Sequence, residues 1–262
     1  LIVVATTGQA VEIMQRVERR AGIRLAAAEA MWRDYFRRTV EAMGLTQFPQ
    51  FVASPLTLLL EVSAASEAEA RDGLETGLAE ALEAGLATNA IIANSERERA
   101  ELWRPREDSF EADRGLKHRH WYDVSVPVSR LDGYMSDLFR RVHERFPGAH
   151  CLALGHLGDG NIHLSIASDT PFGDETAVEA LVYDGLRELG GAFSAEHGVG
   201  LGSQTRPDVG LQGRAPQQPG ERGRGGVVAS ADQGRGLITD LVVGQRPVVH
   251  ERCQDVTAII RA

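Results

Sequence analysis

Two short stretches of the chain hold side chains of the kind that bind metals and move protons. In GHLGDGNIH, Gly155 to His163, two imidazoles stand seven positions apart with an aspartate and glycines between them. In SAEHGVGLG, Ser194 to Gly202, Glu196 and His197 lie beside glycines, which let a backbone approach closely. Two histidines and one carboxylate with an open coordination position form a common catalytic metal set. A further imidazole next to that carboxylate is suited to proton transfer. On this reading His156, His163 and Glu196 are metal ligands and His197 is a base. Spacing alone leaves the plainer reading open: a polar hairpin and a glycine-rich surface turn with incidental charge.

The elements around these residues favour a convergent geometry. Side chains alternate faces along a strand, so in Asn161-Ile162-His163-Leu164-Ser165-Ile166 the three aliphatic residues take the core face. Asn161, His163 and Ser165 take the other. Asp159-Gly160 is a tight-turn pair, and folding there brings His156 beside His163. Upstream, the apolar patterning predicts strands at Leu1–Ala5, Leu56–Ala64, Thr88–Ala93, Arg119–Val126 and Cys151–Gly155. Helices are expected from residue 6 to about Ala21, over 26–43, from Ser66 to Gly85, over Ser95–Trp103, from Pro127 to Phe146 and over Asp174–Leu189. Ser66 and Glu69 have capping-box spacing, and Leu131, Met135, Leu138, Val142 and Phe146 mark a buried stripe. The order implies an α+β fold of ferredoxin-like character, an antiparallel sheet with helices packed on one face. Leu102 to Glu107, LWRPRE, sets Arg104 and Arg106 at a helix end, where an arginine fork suits a carboxylate although exposed arginines are commonly just solvated. In His118–Asp123, HRHWYD, the aromatics are expected to pack in the sheet.

Bulk properties narrow the function classes. A net charge of −9 gives no electrostatic support for nucleic-acid binding. No apolar run approaches the roughly 18 residues of a spanning helix. The opening LIVVA lacks both the length and the basic flank of a signal peptide, and without an initiator Met the chain is expected to begin inside a longer protein. Cys151 and Cys253 form no disulfide framework and fit a reducing cytosol. One lysine, Lys117, against 27 arginines points to GC-rich codons. A boundary is expected near residue 202. Residues 203–262 have no aromatic residue and no lysine, but eight Arg, nine Gly and seven Gln, and they carry +2 against −11 for residues 1–202. The segment reads as an irregular, disordered tail or as a frame-shifted translation. Permitted codons for Asp208 to Arg222 can be chosen so that the next frame reads TWAYKGERPNNPVS, and the gene's nucleotide sequence tests that reading.

Together GHLGDGNIH, SAEHGVG, WYDVSVP and LWRPRE resemble the C-terminal domain of the FAD-linked 2-hydroxy-acid dehydrogenases. That group contains D-2-hydroxyglutarate dehydrogenase, D-lactate dehydrogenase and the glycolate oxidase flavin subunit. The resemblance covers residues 1–202. It implies a flavoprotein whose N-terminal domain binds FAD and whose C-terminal domain carries the substrate site. By motif match it makes His156, His163 and Glu196 the ligands of a zinc or other divalent ion, His197 the general base, and Arg106 and Ser165 substrate-binding residues. It implies a small 2-hydroxy acid as substrate, oxidised to a 2-keto acid with hydride transfer to FAD, and an electron acceptor whose identity it leaves open. Homo-oligomers are compatible with it, as is a cytoplasmic location with peripheral membrane association through the acceptor. Two departures stand out: Trp121 occupies a position where members near D-2-hydroxyglutarate dehydrogenase carry a lysine, and no FAD-binding domain is present. A non-catalytic metal-binding fragment and a zinc hydrolase using the same His/His/Glu set are the alternative functions.

Overall fold

A computed structural model describes residues 1–193. The expected tail, the boundary at 202, and Glu196 and His197 lie outside the described residues. Eight strands form one antiparallel sheet: β1 (Ile2–Val4), β2 (Arg24–Trp32), β3 (Leu56–Ser63), β4 (Asn89–Ala90), β5 (His118–Ser125), β6 (His150–His156), β7 (Asn161–Ser168) and β8 (Ala192–Phe193). Their order across the sheet is β4-β1-β3-β2-β6-β7-β5-β8. Six helices accompany them: α1 (Thr7–Glu18), α2 (Arg33–Ala42), α3 (Glu67–Glu83), α4 (Glu96–Glu107), α5 (Val128–Arg145) and α6 (Glu175–Tyr183). The architecture is α+β, as the order of elements implies.

Local chemistry explains several boundaries. Ser66 caps α3 by accepting from the Glu69 amide at 3.3 Å, and Ser95 does the same for α4 through Glu98 at 3.2 Å. The α5 stripe is buried as its spacing predicts, with Leu131, Leu138 and Val142 fully shielded. In β7 the aliphatic Ile162, Leu164 and Ile166 are buried together on the core face. Helices α1, α3 and α5 pack in one layer, with Gly73 and Gly77 of α3 close against Ile23 and Val17.

The sequence and the structure part at residues 26–43. The chain there is strand β2 followed by the shorter helix α2, not one helix. Arg24–Trp32 reads RLAAAEAMW, rich in alanine, and alanine favours helix when nothing else competes. Here β2 pairs with β3 on one side and β6 on the other, and these ladders outweigh local propensity. Helix α4 also runs four residues past the expected Trp103, with Pro105 inside it, and α6 stops at Tyr183, short of Leu189.

Candidate functional site

The antiparallel register fixes which side chains share the face opposite the α5-covered core, because directly paired residues point the same way. One row across the sheet is Leu59, Glu29, His156, Asn161 and Ser125. The next is Thr57, Met31, Leu154, His163 and Asp123. Beyond it come Leu152, Ser165 and Trp121, then His150, Ala167 and Arg119. His156 and His163 are diagonal neighbours in adjacent rows, with ring centroids 5.5 Å apart and planes at 85°. The convergence expected from alternation and the turn is present.

The turn differs from the two-residue form suggested by Asp159-Gly160. His156 pairs with Asn161, so Leu157, Gly158, Asp159 and Gly160 form the loop. The Gly160 amide donates to the His156 carbonyl at 3.1 Å, and the Asp159 carboxylate accepts from the Asn161 amide at 3.0 Å. Gly160 has φ +73°, and a Cβ there would stand 2.0 Å from the Val126 carbonyl oxygen. Leu157 is buried and its amide donates to the Ala28 carbonyl of β2 at 2.9 Å. The loop is thereby tied to both the β5–α5 connection and the central strand.

A carboxylate orients His156, and a second carboxylate lies beside His163. His156 Nδ1 is 2.7 Å from Glu29 Oε1, and His163 Nδ1 is 3.5 Å from Asp123 Oδ1. A carboxylate that accepts a hydrogen bond from Nδ1–H leaves the Nε2 lone pair for a ligand, the arrangement usual around metal-binding imidazoles. Glu29, only 5% exposed, also accepts from Arg106 Nε at 2.6 Å. Burial alone would raise the Glu29 carboxyl; the His156 hydrogen bond and the charge and hydrogen bond of Arg106 outweigh it, holding the carboxyl below its usual range. Glu29 thus joins β2, β6 and α4 at one point. With Nε held, the Arg106 fork is set in place while its terminal nitrogens carry no hydrogen bond among the described residues. The helix carrying it is fixed by Tyr35, whose hydroxyl donates to the Pro105 carbonyl at 2.7 Å, and by Glu61, which accepts from Trp103 Nε1 at 2.7 Å and Arg99 at 2.9 Å.

Two other groups complete this face. Asn161 is 2% exposed, and neither its amide nitrogen nor its amide oxygen has a hydrogen-bond partner among the described residues. A buried amide without partners is costly in a folded protein and is common where a ligand supplies them. Buried Asp113 accepts from Ser165 Oγ at 2.9 Å and Trp121 Nε1 at 2.8 Å, and lies 3.4 Å from Arg119. The Ser165 hydroxyl is therefore directed at Asp113. Trp121, placed by expectation within the sheet packing, is instead exposed on the site face, while its neighbour Tyr122 packs on Tyr183.

The structure brings His156 and Arg106 together through Glu29, sets His163 beside His156, and places Ser165 one row from His163. Among the described residues no group of three or more His, Cys, Asp or Glu side chains is disposed to hold a metal. Glu196, the expected third ligand, falls outside them. Sequence reasoning passed over Glu29, Asp123 and Asp113. A signal for Glu29 existed: a lone carboxylate in RLAAAEAMW needs a partner if that segment is buried.

Residues 1–206 match the family model of FAD linked oxidases, C-terminal domain. The chain is 34% identical over 179 residues to mitochondrial D-2-hydroxyglutarate dehydrogenase of Rattus norvegicus, a match covering 68% of the chain and 32% of that protein. It is 29% identical over 192 residues to the mitochondrial D-2-hydroxyglutarate dehydrogenase of Arabidopsis thaliana, covering 72% of the chain and 34% of the relative. The D-2-hydroxyglutarate dehydrogenase of Stutzerimonas stutzeri (strain A1501) is 31% identical over 172 residues, covering 63% and 36%. The matched segments span about a third of the length of these curated relatives. No described helix is long and apolar enough to cross a membrane. The chain belongs to the family of FAD linked oxidases, as a C-terminal domain.

Proposed function

We propose that this C-terminal domain, taken as residues 1–202, is the substrate-binding portion of a flavin-dependent dehydrogenase that oxidises a D-2-hydroxy acid to a 2-keto acid. The observation that carries the reading is the Glu29 junction. One buried carboxylate orients an imidazole for a ligand and an arginine fork for a carboxylate, on a face that also holds the Asn161 amide, which has no hydrogen-bond partner among the described residues. A 2-hydroxy acid offers the complementary pair, a carboxylate and an adjacent hydroxyl.

Arg106 binds the substrate carboxylate through its terminal nitrogens, a bidentate geometry that also fixes orientation. The Asn161 amide takes a polar atom of the bound acid. His156, His163 and Glu196 would hold a divalent ion such as zinc. The donor set fits, with two imidazoles, one hydrogen-bonded to Glu29 and the other beside Asp123, and one further carboxylate. When bound, such an ion supplies Lewis acidity toward the substrate hydroxyl, and FAD, bound mainly by a part of the protein outside this chain, supplies the hydride acceptor. His197 takes the hydroxyl proton.

The test is metal content after dialysis against zinc for the wild-type chain and the H156A/H163A double variant, each then titrated with a D-2-hydroxy acid. The reading expects zinc in the wild type, its loss in the variant, and loss of acid binding with it. Equal zinc content in both would overturn the assignment.

A further inference from the structure

The large hydrophobic side chains most exposed among the described residues are Phe110, at 73%, and Trp121, at 59%. They touch each other, with ring centroids 6.0 Å apart and planes at 70°. They are not scattered surface residues. Trp121 lies in the row next to the histidines on the site face, two residues along β5 from Asp123, which pairs with His163. By strand rise that is about 7 Å from the histidine row. Its indole is held in place by Nε1 donating to Asp113 at 2.8 Å, and the Arg119 guanidinium sits 5.7 Å from the ring centroid. An exposed aromatic pair that is fixed in position and adjoins a polar site marks a place where apolar surface is received.

The charges around it argue in the same direction. Asp113 is buried and lies 3.4 Å from Arg119. A carboxylate arriving over Trp121 would meet the buried Asp113 carboxylate behind the indole, which lies between it and full pairing with Arg119. An aryl or branched alkyl group arriving there would meet two aromatic faces and cover them.

We propose that Trp121 and Phe110 receive the side chain of the substrate and select 2-hydroxy acids bearing an aryl or bulky alkyl group over those bearing a second carboxylate. This rests on the 2-hydroxy-acid reading above. With the carboxylate on Arg106 and the hydroxyl toward the histidines, the side chain extends along the strands to the Trp121 row. Trp121 and Phe110 are specificity-determining positions, and neither takes part in the proton or hydride steps.

The experiment is a calorimetric titration of the full zinc-loaded chain with D-lactate, D-3-phenyllactate and D-2-hydroxyglutarate, repeated for W121A and F110A. Phe110 makes no side-chain hydrogen bond among the described residues, so F110A covers the case in which W121A fails to fold. The expected order is phenyllactate tightest. Each truncation weakens phenyllactate about tenfold, the scale of a lost aromatic contact and its area, and leaves lactate within twofold. If hydroxyglutarate binds best, or if phenyllactate is insensitive to both truncations, the selectivity proposal falls while the 2-hydroxy-acid reading stands. If none of the three acids binds, both fall.

Discussion

Replacing Glu29 tests the junction on which the site is built. Its carboxylate accepts from Arg106 Nε at 2.6 Å and lies 2.7 Å from His156 Nδ1. Hydrogen bonds to charged groups contribute about 1.5–3 kcal/mol each, so the two together have an upper bound of about 3–6 kcal/mol. Arg106 and His156 keep 21% and 32% of their side chains exposed, and water recovers part of the loss. Glu29→Ala is therefore expected to cost about 2–3 kcal/mol of unfolding free energy. Glu29→Gln, which keeps one acceptor and turns an NH2 toward a donor, is expected to cost about 1–2 kcal/mol. The folded-state carboxyl is held below its ordinary range, so its contribution is present above the unfolded carboxyl's titration range. That contribution is lost as pH falls through the depressed folded-state value, and the gap between wild type and E29Q narrows in acid. Zinc affinity falls about 10- to 100-fold in either variant, as for other residues that orient a metal-bound imidazole. Urea titrations at several pH values and competitive zinc titrations measure both. A stability change under about 0.5 kcal/mol, typical of an unremarkable surface position, with zinc affinity unaltered, would refute the role given to Glu29.

Further outcomes follow from single features. Gly160→Ala forces a Cβ against the Val126 carbonyl at positive φ, so it should destabilise by more than about 1–2 kcal/mol, whereas Gly158→Ala, with nothing within 4 Å, should stay within about 0.5 kcal/mol; denaturant midpoints of the two variants decide this. Ser66→Ala removes the α3 cap and should cost about 1 kcal/mol, read as a lowered melting temperature. Burial, with a smaller contribution from Asp34, pushes the Cys151 thiol up to about 12, so at pH 8 iodoacetamide should modify the Cys151 peptide only after denaturation. Asn161→Ala removes a buried amide that has no hydrogen-bond partner among the described residues and should change stability by less than about 1 kcal/mol while weakening acid binding; a large stability loss with binding intact would show that the amide is structural.

What was legible in the sequence was local. Strand alternation in β7 placed His163 opposite the core, and the glycines placed His156 beside it. Ser66 and Leu131–Val142 announced their helix cap and buried stripe through spacings of three and four residues. What was not legible depended on distant contacts. Glu29 meets His156 across 127 positions and Arg106 across 77, and no local pattern encodes such a meeting. The same distance effect hid β2, whose alanines favour a helix until β3 and β6 pair with it. Trp121 misled because an aromatic in an alternating strand ordinarily packs; only the register shows that its face is the site face and that β5 carries little beside it at that row.

The proposal that this face binds and presents a 2-hydroxy acid for oxidation is tested most directly by flavin absorbance in the full-length gene product. The protein is mixed anaerobically with a D-2-hydroxy acid, as wild type and as Arg106→Ala. The flavin band is expected to bleach in the wild type with one 2-keto acid formed per flavin, and in R106A only at far higher acid concentration. A flavin that stays oxidised at saturating acid, or equal concentration dependence in the two proteins, would contradict it.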